Sequence, residues 1–155
     1  MKCVIGVLVL AFCATAYPND LVPLGASTSY YVSTTKKSFI GAWINCKTGG
    51  MDLASVTTAA EQAELNTTVG SATGDGEGYW LGGVAENVSG DWYWSDSARR
   101  VIYTNWGTGQ PRDYGSEGKG SCIRLGNFYG TSQPLLWQAV SCEYKLYFIC
   151  KYTSS

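Results

Sequence analysis

The chain has 155 residues, 11 basic and 12 acidic side chains, a net charge of −1 and no histidine. That length suits one domain with a proper core, and the near-neutral balance, with only the isolated pairs Lys36-Lys37 and Arg99-Arg100, argues against a nucleic-acid partner. The missing histidine removes His-based triads, the commonest general base and most transition-metal sites.

In chain order, residues 1–16 read as an export leader: Lys2 gives the positive start, Val4 to Phe12 the apolar run, and Ala14-Thr15-Ala16 a small-x-small cleavage site. The run is shorter than the roughly 20 residues that a membrane span takes. The expected mature protein starts near Tyr17, is secreted into the extracellular space, and has no membrane span. Residues 17–29 are polar with two prolines and read as a mobile lead-in. From Ser33 the pattern turns helical, with Thr34 or Thr35 as the cap, Phe39, Trp43 and Cys46 at helical spacing, and Gly49-Gly50 as the stop. Thr58-Ala59-Ala60-Glu61 has capping-box spacing and starts a second helix over Ala59 to Asn66, ended by Gly70.

Beyond Gly78 the helical period gives way to short strands at Tyr79–Val84, Asp91–Ser95, Ser121–Leu125, Leu136–Ser141 and Tyr147–Tyr152. A glycine-rich stretch from Ser97 to Gly120 is long enough to read as a functional loop. Helices followed by strands give an α+β domain. Cys3 and Cys13 leave with the leader; Cys46, Cys122, Cys142 and Cys150 stay, and an even count in a secreted chain reads as two disulfides with three connectivities open. Asn66-Thr67-Thr68 and Asn87-Val88-Ser89 are N-glycosylation sequons.

These pieces fall in a telling order: Trp43-x-x-Cys46, Gly50, Leu53, Tyr79-Trp80-Leu81-Gly82-Gly83, Asn105-Trp106-x-x-x-Gln110-Pro111, Cys122, Trp137-x-x-x-x-Cys142 and Phe148-Ile149-Cys150. Together they resemble a C-type lectin domain over residues 30–152, most of all the short single-domain secreted lectins of invertebrates, leaving 153–155 as a tail. The resemblance implies two helices, two small antiparallel sheets, a long binding loop, and the pairings Cys46–Cys150 and Cys122–Cys142. With every mature cysteine so paired, a covalent dimer is not expected. It places Trp106 and Trp137 in the core beneath the loop.

In that family a Ca²⁺ ion holds the sugar, and calcium wants six to eight oxygens. Gln110 and Pro111 match the first two positions of a Gln-Pro-Asp motif that leans towards galactose, but Arg112 stands third, and a cation supplies no oxygen. Gly120 replaces the acidic residue before Cys122, and Gln138-Ala139 replaces the Asn-Asp pair after the tryptophan. Gln110, Asp113 and Glu117 are the remaining candidate metal ligands, with Gln138 beside them, and ordinary loop polarity is the preferred reading of the last three. The candidate ligand-binding set is Gln110, Arg112, Asp113, Tyr114, Glu117 and Gln138, with Arg112 suited to an acidic sugar or a partner's carboxylate. Phe128 and Tyr129 lie near the loop as further aromatic faces.

Three functions follow for weighing. The first is recognition of glycans on cell or microbial surfaces, of a kind used in innate defence. The second is a calcium-independent protein-binding or adhesion module using the same loop. The third is hydrolysis by the Asp113 and Glu117 carboxylates, which is set aside because a raised pKa needs a rigid apolar setting that a glycine-rich loop does not provide.

Overall fold

A computed structural model describes residues 20–23, 30–69, 78–85, 90–112, 121–126 and 135–152. The leader, most of the lead-in, Asn87 and the tail lie outside them. The elements run β1 (Leu21–Pro23), β2 (Tyr30–Ser33), α1 (Phe39–Thr48), β3 (Asp52–Leu53), α2 (Ala59–Val69), β4 (Tyr79–Ala85), β5 (Tyr93–Trp94), β6 (Ser121–Gly126), β7 (Leu136–Ser141) and β8 (Tyr147–Lys151).

Two antiparallel groups meet at β8. Strands β2 and β3 pair antiparallel with β8, and β1 pairs with β2. On the other side β6 lies between β4 and β7, β5 adds to β4, and β4 runs parallel to β8 through Tyr79↔Tyr147 and Trp80↔Phe148. Side chains alternate across a strand, so each central strand feeds two cores. Phe148, Cys150, Trp80 and Cys122 join Phe39, Ala42 and Cys46 of α1. Ile149, Tyr79, Leu81, Ile123 and Leu125 join Leu65 and Val69 of α2. Burial on both faces explains why the starts of β4 and β8 read as continuous apolar runs.

The lead-in is not featureless: Leu21 is buried and its strand forms the sheet edge beside β2, whose last residue, Ser33, the helical reading had taken for the start of its run. Thr34 and Thr35 do not cap the helix. They bind Asp20, Thr34 N–H donating to its carbonyl at 2.7 Å and Thr35 Oγ1 to its carboxylate at 2.8 Å. Ser38 caps instead, accepting from Gly41 N–H at 3.3 Å. At the other end Gly50 takes φ +71, which lets Gly50 N–H reach Lys47 and Met51 N–H reach Cys46 and satisfies two open carbonyls. In α2 the Thr58 hydroxyl accepts from Glu61 N–H at 3.2 Å, but Glu61 returns its bond to Thr57 N–H at 2.7 Å rather than to Thr58.

Glu61 also ties α2 to β8, where Lys151 Nζ donates to its carboxylate. Burial alone would raise the Glu61 carboxyl, yet the bonds from Lys151 and Thr57 outweigh it and hold it below its ordinary value of 4.5. Burial would likewise lower Lys151, but Glu61 and Tyr30 hold it above its ordinary value. A depressed carboxylate contributes stability that is complete above its unfolded value and is lost as pH falls through the folded one. The raised ammonium contributes stability that is complete below its unfolded value and is lost as pH rises through the folded one. Urea midpoints should therefore drop on acidification below the ordinary Glu61 value, and Glu61→Gln should flatten that drop.

The disulfides join Cys46 to Cys150 and Cys122 to Cys142, 104 and 20 residues apart. Longer closed loops restrict the unfolded chain more. Replacing Cys46 and Cys150 together by serine should cost about 4.7 kcal/mol, and Cys122 with Cys142 about 3 kcal/mol. Denaturation midpoints in the opposite order contradict this ranking.

Candidate ligand-binding site

The loop rests on Trp137, which is fully buried in β7. Its N–H donates to the Asn105 carbonyl at 2.8 Å and its carbonyl accepts from Gly107 N–H at 2.9 Å, so the backbone of Trp106 is bridged to it in parallel sense. Asn105 Nδ2 adds a bond to the Leu135 carbonyl at 2.9 Å. The Trp137 indole N–H donates to Gln62 Oε1 of α2 at 2.8 Å, and Trp94, Tyr103 and Trp106 meet its ring edge-to-face at 5.6 to 5.9 Å between centroids. Both tryptophans thus lie under the loop, Trp137 fully buried and Trp106 partly so.

Above this base the chain turns through Gly109 at φ +74 and enters a cis Gln110–Pro111 bond. Gln110 Oε1 accepts from Ala139 N–H and Arg112 N–H, each at 3.1 Å. The amide oxygen that would face a metal is therefore already used by two backbone donors, one of them on β7. Arg112 is exposed and folds back over the turn; a β carbon on Gly109 would sit 3.7 Å from Arg112 Nη2. Gln138, a candidate alongside Gln110, turns its Oε1 onto Arg124 of β6, its register partner, which donates from Nε at 3.0 Å and Nη2 at 2.5 Å. Asp113, Tyr114, Glu117, Phe128 and Tyr129 lie outside the described residues.

These donors do not fit a calcium ion. Gln110 Oε1 and Gln138 Oε1 are engaged, Ala139 has no side-chain oxygen, and Arg112 brings positive charge to the turn. Among the described residues no three acidic, cysteine or histidine side chains gather as a metal site. Sequence reasoning missed the acceptor role of Gln110 and the claim of Arg124 on Gln138, because both depend on strand register.

The lectin C-type domain family model matches residues 35–152. The chain belongs to the C-type lectin domain family. This lectin domain is 36% identical over 124 residues to perlucin of Haliotis laevigata, covering 79% of this chain and 74% of perlucin. It is 32% identical over 139 residues to C-type mannose receptor 2 of Mus musculus, covering 90% of this chain but 8% of the receptor. Human lithostathine superposes with a TM-score of 0.66 at 28% identity, over 88% of this chain and 99% of that one. The family makes this lectin domain a carbohydrate-recognition module rather than an enzyme. Among the described residues no helix is long and apolar enough to cross a membrane. Asn66 sits in α2, half-buried, its Oδ1 accepting from Gln62 at 2.8 Å.

Removing the Gln110 acceptor leaves the buried Ala139 region with an unmet N–H, at a cost of about 1–3 kcal/mol. Gln110→Ala should show that loss in thermal denaturation, while Gln110→Glu, which keeps an acceptor, should retain most of the stability.

Proposed function

We propose that the protein is a secreted glycan-recognition module of innate defence, binding surface sugars through the Gly107–Arg112 turn without calcium. Leader removal after Ala16, a lectin domain over 30–152 and glycans on Asn66 and Asn87 belong to the same reading. The pairing of Tyr30–Val32 with β8 supports residues from 30 onwards belonging to the domain, and β1 adds Leu21–Pro23 to its sheet.

The observation that carries metal independence is the double use of Gln110 Oε1. A calcium ligand must offer an unoccupied lone pair, whereas here two backbone N–H groups hold that oxygen and anchor the turn to β7. What the turn offers outward is a set of donors on the exposed Arg112 guanidinium. Such donors suit the hydroxyl and ring oxygens of a galactose-type sugar.

The test is a glycan array on the mature protein with and without EDTA, beside a calorimetric titration with calcium. We expect sugar binding that the chelator leaves unchanged, no heat of calcium binding, and a loss of about tenfold in affinity with Arg112→Ala. Binding abolished by EDTA sinks the metal-independent reading. Absence of any sugar binding, with a protein partner recovered through the same turn, replaces glycan recognition by protein recognition.

A further inference from the structure

A second hollow lies apart from the turn, where the chain after β3, the segment after β5 and the end of β8 converge. It consists of two adjoining cavities of about 270 and 400 Å³ that share Ser55, Asp96, Ser97 and Arg99 as walls. Ligand sites run from about 300 to 1,000 Å³, so the pair is of saccharide size. Lys151 and Tyr152 close one end, and Arg100, Ile102 and Tyr103 the other.

The charges in the walls are partly paired. Three cations, Arg99, Arg100 and Lys151, face one carboxylate, Asp96. Arg100 and Lys151 pair with Asp91 and Glu61, neither of which lines the cavities. Asp96 is drawn to the wall by Ser55 Oγ, which donates to its Oδ2 at 2.6 Å. Arg99, placed in both cavities, is exposed and has no ion-pair partner among the described residues. Arg99 is therefore the cation of these walls whose guanidinium fork is left to meet an anion of matching shape.

The backbone under Arg99 is set with care. Its carbonyl accepts from Trp94 N–H at 2.9 Å and its N–H reaches Ser97 Oγ at 3.4 Å. The residue before it, Ala98, is held at φ +53, a left-handed conformation that alanine adopts only at a cost in energy. Strain of this kind persists where surrounding structure enforces it, and it gathers at binding sites.

We propose that this groove is a second, separate site for acidic saccharides, with Arg99 clamping a carboxylate or sulfate oxygen pair. The guanidinium fork matches either anion. Tyr103, Tyr152 and Ile102 line the groove beside it and offer faces for sugar C–H surfaces. The turn at Gln110 takes no part.

The experiment uses the mature protein and three immobilised probes: a sulfated oligosaccharide, an oligogalacturonate and a neutral galactose oligomer. The expected result is that at least one acidic probe binds, more weakly as salt rises. Its affinity should fall about tenfold or more in Arg99→Ala, fall further in Arg99→Glu, and hold in Arg112→Ala. Which acidic probe binds distinguishes sulfate from carboxylate. Binding of neither acidic probe, or acidic binding unchanged in both Arg99 variants, overturns the proposal. Acidic binding lost in Arg112→Ala but kept in Arg99→Ala moves the anion to the turn and overturns it as well. The neutral probe reports on the turn, so its failure to bind leaves the groove standing.

Discussion

The indole of Trp137 ties helix, sheet and loop to one another. Its ring N–H is satisfied by Gln62 of α2, its backbone by Asn105 and Gly107, and its faces and edges by Trp94, Tyr103 and Trp106. A buried indole without a partner for its N–H is costly, so the position of α2 and the presence of tryptophan here depend on each other. Through the same residue a loop rich in glycine acquires a fixed base, and the Gly109–Arg112 turn projects from that base rather than from a free coil.

The central strands were readable because each is buried on both faces. Tyr79–Leu81 and Tyr147–Cys150 show the uninterrupted apolar character that two cores demand, while Ser121–Leu125 is broken by the half-buried Arg124, which bonds Gln138. Gly82 and Gly83 inside β4 have their own reasons. A side chain at Gly82 would meet the Leu53 carbonyl at 2.9 Å, and one at Gly83 would meet Ile123 at 2.2 Å. The peripheral strands gave no such signal. β3 has two residues, too few for any period, and β2 becomes a strand because Tyr30, Tyr31 and Val32 find partners far along the chain, with β1 then adding to its other side. The misplaced cap has the same origin, since Asp20 claims Thr34 and Thr35 through tertiary contact and leaves the helix to Ser38.

At the candidate site, residue types were legible and their commitments were not. The sequence shows that Arg112 and Ala139 depart from a calcium set, but not that Ala139 N–H claims the Gln110 amide oxygen. Gln138 looks available in a one-dimensional reading and is committed to Arg124 once β6 and β7 are in register. The groove around Arg99 was invisible for a similar reason. Its walls come from residues near 55, 97 and 151, and only the meeting of three chain segments makes them neighbours.

The shared strand β8 sets a timetable for assembly. Strands β2, β3 and β4 all bond to residues 147–151, and Cys46 waits for a thiol 104 positions downstream. Until residues 147–151 are in place, the sides of β2, β3 and β4 that face them stay unpaired, and open strand edges are prone to aggregate. Closure of this part of the sheet and the Cys46–Cys150 bridge then arrive on the same short segment. A nascent product cut before Tyr147 would reach the cell's quality control with its seams open.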